Sequence, residues 1–236
     1  MRLQPGGLQV NRPVKDNKGF TLVEILIAIL IFSVVISTLF SSFKAFIISS
    51  ENVKEVVAHS EKIRNVFKRI SLDLESIYVL QPPRYKKPEF DSDPDPYRFE
   101  GKEENLGQSV VSTLVFPSFA HAGFGSDQRI GVARIVYYLK ENKNNLYDLF
   151  RADALQPFPE ELESCLDPVL CRDISGFEAV YKDGNGDEYK VWDSEDQEFK
   201  YAFPASIDFK ITFGAGEQSQ VFEISTSLVS GRQPIE

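Results

Sequence analysis

Glu24 is the residue whose type and position bear most directly on chemistry. It is the single charged side chain from Phe20 to Phe40, a run otherwise made of apolar or small residues. A carboxylate inside a membrane helix costs about 3 kcal/mol on insertion scales, and such residues usually mark a partner and a function. No Lys or Arg follows Glu24 before Lys44. The matching cation must therefore come from elsewhere. Cleavage after Gly19 would create one, the new amine on Phe20, carried by this chain or by a neighbouring copy.

Other constellations are weaker. Asp183, Asn185 and Asp187 alternate as the first oxygen ligands of a calcium loop do. Glu188 stands where that loop needs glycine, however, and Ser194 where it needs glutamate, so an EF-hand is excluded. A hairpin turn accounts for Asp-Gly-Asn-Gly-Asp without metal and is the favoured reading, with weak calcium binding by Asp183, Asn185 and Asp187 as the alternative. Asp91, Asp93 and Asp95 alternate with serine and proline, the pattern of a solvated loop. Cys165 and Cys171 are the two cysteines, and in an oxidising compartment a pair this close is a plausible disulfide of modest worth. His59 and His121 lie far from both in sequence, so no zinc pattern forms. The chain has no G-x-S-x-G, no H-E-x-x-H and no phosphate loop. No catalytic residue, cofactor or resident metal is expected.

The elements that must position Glu24 follow from pattern. A helix over Phe20–Phe40 rises about 1.5 Å per residue and spans roughly the 30 Å hydrocarbon core. This run is longer than the apolar region of a cleaved secretory signal, and no clear small-residue cleavage site ends it. Arg2, Arg12, Lys15 and Lys18 precede it, which holds the N-terminus in the cytoplasm and sends the rest across. Beyond it, Val53, Val56, Val57, Ile63, Val66, Phe67, Ile70, Leu74, Ile77 and Tyr78 recur at three- and four-residue steps. That is one apolar stripe on an otherwise charged helix, expected to run to Leu80 and stop at Pro82-Pro83. Four regions result: residues 1–19 ahead of the span, a membrane helix over 20–41, its amphipathic continuation over 42–81, and a β-rich domain over 82–236.

Within that domain, residues 81–107 read as a Pro-rich acidic loop. Strands are expected at Ser109–Pro117, Ile130–Lys140, Leu146–Ala152, Ile174–Tyr181, Glu188–Trp192, Ser206–Phe213 and Gln220–Val229. Gln156–Asp173 reads as an irregular loop. The short strands and Gly/Asn/Asp turns favour antiparallel hairpins, and the fold class is α+β, one long helix on an antiparallel sheet. Net charge over the 236 residues is −9. Residues 1–19 hold +3 of that, so the remainder carries −12. An acidic exported domain argues against nucleic acid or anionic lipid as main partner.

Lys18-Gly19-Phe20-Thr21-Leu22-Val23-Glu24 resembles the type III signal of type IV pilins and type II secretion pseudopilins. The resemblance implies cleavage after Gly19 by a prepilin peptidase and N-methylation of Phe20. It also implies pairing of Glu24 with the terminal amine of a neighbouring subunit during assembly. Residues 1–19 become the prepilin leader, and the fold becomes pilin-like. Ile174–Tyr181, the Asp183–Asp187 turn, Val191-Trp192-Asp193, Phe203-Pro204-Ala205-Ser206-Ile207 and Leu149-Phe150-Arg151 resemble more loosely the J-type minor pseudopilin. That likeness implies a subunit of the bacterial inner membrane, single-pass, with its C-terminal domain in the periplasm. Its partners would be the I- and K-type minor pseudopilins, the major pseudopilin, the prepilin peptidase and the inner-membrane assembly platform. The Asp91–Pro96 loop and the Cys165–Cys171 pair have no counterpart in it. A minor pilin of a type IV pilus, for adhesion or DNA uptake, and a signal-anchored periplasmic enzyme stay open.

Overall fold

A computed structural model of the protein describes residues 19–89, 92–106, 109–122, 129–158, 167–214 and 219–235. The chain divides into two compact units, Met1–Val56 and Val57–Glu236, and helix α1 (Leu22–Glu75) contributes to both.

In the first unit, Leu22–Ser50 is long and apolar enough to cross a membrane, and all of its apolar side chains are exposed. Beyond residue 41, Phe43, Phe46, Ile47 and Ile48 continue the apolar run around the lone Lys44. The hydroxyls in it are satisfied locally. Ser33 donates to the Ile29 carbonyl at 2.8 Å and Thr38 to the Val35 carbonyl at 2.8 Å. Bonds of this kind let small polar residues sit in a helix where water is absent.

Among its described residues the second unit holds nine strands, all in antiparallel ladders: β1 (Glu100–Leu106), β2 (Ser109–Ser118), β3 (Ala133–Glu141), β4 (Tyr147–Leu155), β5 (Val169–Lys182), β6 (Glu188–Tyr189), β7 (Trp192–Asp193), β8 (Ser206–Phe213) and β9 (Gln220–Ser227). The order is β7-β1-β2-β3-β4-β5-β8-β9, with β6 hairpinned onto β5. Neighbours in sequence are mostly neighbours in space, as short hairpin connections require. Alternation assigns the faces. On β8, Ile207, Phe209, Ile211 and Phe213 are buried while Asp208, Lys210 and Thr212 are half-buried. These residues join Leu114, Phe116, Ile135, Tyr137, Leu149 and Phe177 in one core cluster.

The helical part of this unit supplies Ile63, Val66, Phe67, Ile70 and Leu74 to that cluster, at three- and four-residue steps. The buried stripe starts later than its sequence pattern, since Val57 is half exposed, and the side chains of Val53 and Val56 lie outside the described residues. The helix also ends earlier, at Glu75 rather than near Leu80. The end of β2 captures the following residues. Tyr78 N–H donates to the Pro117 carbonyl, Phe119 N–H donates to the Ser76 carbonyl, and Ile77 bridges Ser118. Strand pairing, not Pro82-Pro83, stops the helix.

Two loop expectations are corrected as well. β1 lies inside the stretch read as a loop, and β5 begins at Val169, inside the Gln156–Asp173 segment. Glu-Gly-Lys-Glu-Glu-Asn shows no apolar alternation, so nothing local marks it as strand. It pairs because β2 on one side offers a ladder over Ser109–Val115 and Trp192-Asp193 caps the other. Gly101 makes this possible: a Cβ there would fall on the buried ring and hydroxyl of Tyr181, well inside van der Waals contact. Gly101→Ala should therefore destabilise the domain by about 1–3 kcal/mol, as overpacking does, read as a lower thermal midpoint of the full chain in detergent.

Candidate functional site

At the start of α1, Gly19 and Phe20 are exposed and precede the helix. Thr21 and Glu24 form a reciprocal pair. Glu24 N–H donates to the Thr21 hydroxyl oxygen at 3.2 Å, while Glu24 Oε2 accepts from Thr21 N–H at 2.8 Å and from the Thr21 hydroxyl at 3.0 Å. This is a capping box, in which the cap residue and the third helical residue satisfy each other's orphan N–H groups. The Glu24 carboxylate is thus held at the helix start, beside the bond after Gly19. Phe20, Glu24, Ile25, Ala28, Ile29 and Phe32 line one groove there. Its apolar walls suit another apolar helix, and its one charge suits a cation.

Residues 14–40 match the model of the prokaryotic N-terminal methylation motif. No curated protein matches the chain. The motif indicates a type IV pilin-like or pseudopilin protein and implies processing by a prepilin peptidase and assembly with other pilins into pilus-like filaments. The apolar span of α1 fits the single-pass anchor of such a protein.

The second unit contains a charged cluster that sequence reasoning did not find. Asp73, in the last turn of α1, is fully buried. Arg151 on β4 is buried too and donates from Nε to Asp73 Oδ2 at 2.6 Å and from Nη2 to Oδ1 at 3.2 Å. Tyr137 lies directly opposite Arg151 in the β3–β4 register, and its hydroxyl donates to Asp73 Oδ2 at 2.5 Å. Arg69, one turn earlier on α1, reaches Asp73 Oδ1 at 2.8 Å and the Ala120 carbonyl at 2.6 Å. Arg151 also binds Asp153 Oδ2 at 2.7 Å through Nη1. Asp153 holds His121 Nδ1 at 2.6 Å and accepts the Ala122 N–H at 2.7 Å. Helix end, two strands and the segment after β2 are thereby fastened at one point.

The protonation shifts follow from this geometry. Burial works against the charge of Arg151, but its bonds to Asp73 and Asp153 outweigh that and raise its pKa. Burial and the Asp73 carboxylate together push the Tyr137 hydroxyl well up. Burial would raise Asp153, yet the Ala122 N–H, His121 and Arg151 hold it below its ordinary value. The chemistry of the cluster is mutual neutralisation; among its atoms, Arg69 Nε and His121 Nε2 are buried with no partner.

The other expected sites fare as follows. The Asp183–Asp187 segment is the β5–β6 hairpin turn, with Gly186 at φ +90°. Asp183 Oδ1 accepts the N–H groups of Asn185 at 2.8 Å and Asp187 at 3.0 Å, and Oδ2 accepts the Asn185 amide at 3.1 Å. Both oxygens of Asp183 serve the turn itself. Cys171 is buried on β5, which pushes its thiol up to about 11, while Cys165 lies outside the described residues. Asp91 and the His59 side chain also lie outside them, and Asp95 caps the Tyr97 N–H at 2.9 Å. Trp192 donates to the Ala202 carbonyl at 3.0 Å and stacks on Phe199 at 4.4 Å, so the Val191-Trp192-Asp193 segment serves packing.

Two sequence signals point to the missed cluster. Asp73 interrupts the apolar stripe between Ile70 and Leu74, and on β4 Arg151 and Asp153 occupy the same alternate positions as Tyr147, Leu149 and Leu155. Arg151→Met should cost about 3–5 kcal/mol, because it leaves buried carboxylates without their cation. Asp73→Leu together with Arg151→Met should recover part of that loss in the same thermal melts, since it removes the fully buried carboxylate along with its cation, while Asp153 keeps only the Ala122 N–H and His121. Asp153, with its lowered folded pKa, contributes stability that is present above its unfolded pKa of about 4 and lost as pH falls through the folded value. Asp153→Asn should flatten the acid limb of the stability–pH curve and lower the plateau near neutrality.

Proposed function

We propose that this chain is a minor pseudopilin of a type II secretion system, a non-enzymatic subunit at the tip of a periplasmic pseudopilus. The observation that carries this reading is the methylation motif over residues 14–40 placed directly on a membrane-length helix. Gly19–Phe20 is the processing bond, and Phe20 becomes the methylated first residue. The capping box presents Glu24 at the mouth of an apolar groove, where the amine of a neighbouring subunit's Phe20 neutralises it as the helix docks. An unmade ion pair at that depth is costly, so docking in register is favoured.

The likeness to the J-type subunit rests on the strand and turn segments of the second half. It points to a place beside I- and K-type partners and a part in starting assembly for protein export. The antiparallel sheet at the end of α1 supports a pilin-like subunit that works by packing and edges.

Mass analysis of the N-terminal peptide from membranes tests the class. A peptide beginning at N-methyl-Phe20, found only when the prepilin peptidase is present, is the expected result. An intact leader in the presence of the peptidase would overturn it. Gly19→Ala should abolish processing, whereas Glu24→Ala should leave processing intact and lose incorporation into filaments. Deletion of the gene should stop export of folded proteins through the outer membrane. Loss of surface pili with export unchanged would instead identify a type IV minor pilin.

A further inference from the structure

Two charged side chains stand in the apolar span of α1, one near each end. Glu24 opens it, and Lys44 comes 20 residues later. On a regular helix that separation is about 30 Å along the axis and about 200° around it. A hydrocarbon core is also roughly 30 Å thick, so a span with Glu24 at one boundary holds Lys44 at the other. The apolar run does not stop there. Phe46, Ile47 and Ile48 follow Lys44 and are exposed, and the whole span is 29 residues. Its length is about 43 Å, and a tilt of about 40° still leaves about 33 Å. Tilting therefore does not keep both ends of the run in hydrocarbon.

The face around Lys44 says what covers it. Phe40, Ile47 and Ile48, one turn away on either side, are exposed apolar side chains. Among the described residues no carboxylate pairs with Lys44, and the next acidic residue of the helix is Glu51, two turns on. The face is an apolar patch with one cation at its centre. The groove at the start of α1 is its complement, an apolar patch with one carboxylate. The methylation motif covers that groove and implies assembly with other pilins. We infer that Lys44 is a docking cation, which receives the carboxylate at the motif end of another pilin-like helix displaced along α1 by about 30 Å. Phe40, Ile47 and Ile48 cover the apolar walls around that carboxylate. Helices at equal depth in one membrane set carboxylate level with carboxylate and bring nothing to Lys44. A subunit lifted outward by one membrane thickness brings its carboxylate level with Lys44 of the subunit still in the membrane. Until then the long lysine stem keeps the ammonium at the boundary. Lys44 and Glu24 point to opposite sides of α1, so this contact leaves the Glu24 groove free for the amine of another neighbour. It is head-to-tail and does not close on itself. It rests on the pilin-like reading and adds the residue that meets the lifted subunit.

The test puts a photoreactive benzoylphenylalanine in place of Ile48 in the full-length chain, in cells that carry the prepilin peptidase and the assembly machinery. Irradiation should link it to the first turns of a pilin-like helix that carries the methylation motif, with the site located by peptide mass. Lys44→Glu should lower that adduct about tenfold or more, since it sets two carboxylates together, and Lys44→Arg should retain it. The same group in place of Phe46, about 200° around the helix from Lys44, should give none of it. An adduct only elsewhere on such a helix, only to a protein without the motif or only to lipid would overturn the inference. So would no adduct, one that Lys44→Glu leaves unchanged, or one formed equally from position 46. Processing is read on the same samples. N-methyl-Phe20 without the adduct refutes the role of Lys44 alone, whereas an intact leader refutes the pilin-like reading beneath it.

Discussion

Asp73 has no water to solvate it, and a bare carboxylate in that position would be too costly for a domain of this size to carry. Arg151 removes the difficulty, and the rest of the second unit is arranged around that removal. The guanidinium spreads its donors over Asp73, Asp153 and the Ala120 carbonyl. Tyr137 fills the remaining lone pair of Asp73 from the facing strand, and Arg69 reaches it from the previous helical turn. Each group is bonded to at least one other, so none is left with a bare charge. This matters because a half-satisfied buried network is worse than an apolar core. The cost of burying these charges is offset only in one geometry. The cluster therefore fixes where the helix end lies against β3 and β4 within this unit.

Glu24 and Asp73 are carboxylates on the same helix that meet the same penalty by different means. Asp73 is surrounded by cations and a phenol. Glu24 has only its own cap, two donors from Thr21, in a groove of apolar side chains. Local capping satisfies hydrogen bonds but brings no opposite charge. Asp73 is complete within the chain, and Glu24 still has a place for a cation. That contrast separates a carboxylate neutralised within the chain from one bonded only within its own helical turn.

The two ends of the sheet repeat the contrast in backbone terms. β1 is laden with charge and shielded by Trp192-Asp193, and Gly101 lets Tyr181 pass close beneath it. β9 is uncharged apart from Glu223 and leaves its apolar side chains half covered.

The sequence by itself determined the features that depend on local pattern. The apolar run from Phe20, the basic residues before it and the position of Glu24 specify a helix of membrane length and its motif, because bilayer thickness and helix rise set that length. Alternation located β2, β3, β4, β8 and β9, and the Asp-Gly-Asn-Gly-Asp turn was legible since its side chains bond only to their neighbours. Tertiary structure decided what no local pattern encodes. β1 is a strand only because β2 and β7 offer it partners, and α1 ends at Glu75 only because β2 captures Ser76 to Tyr78. Asp73 and Arg151 sit at inward positions of their own elements, but the sequence does not say that they meet. The two are 78 positions apart, and only the fold brings them together and excludes water from between them.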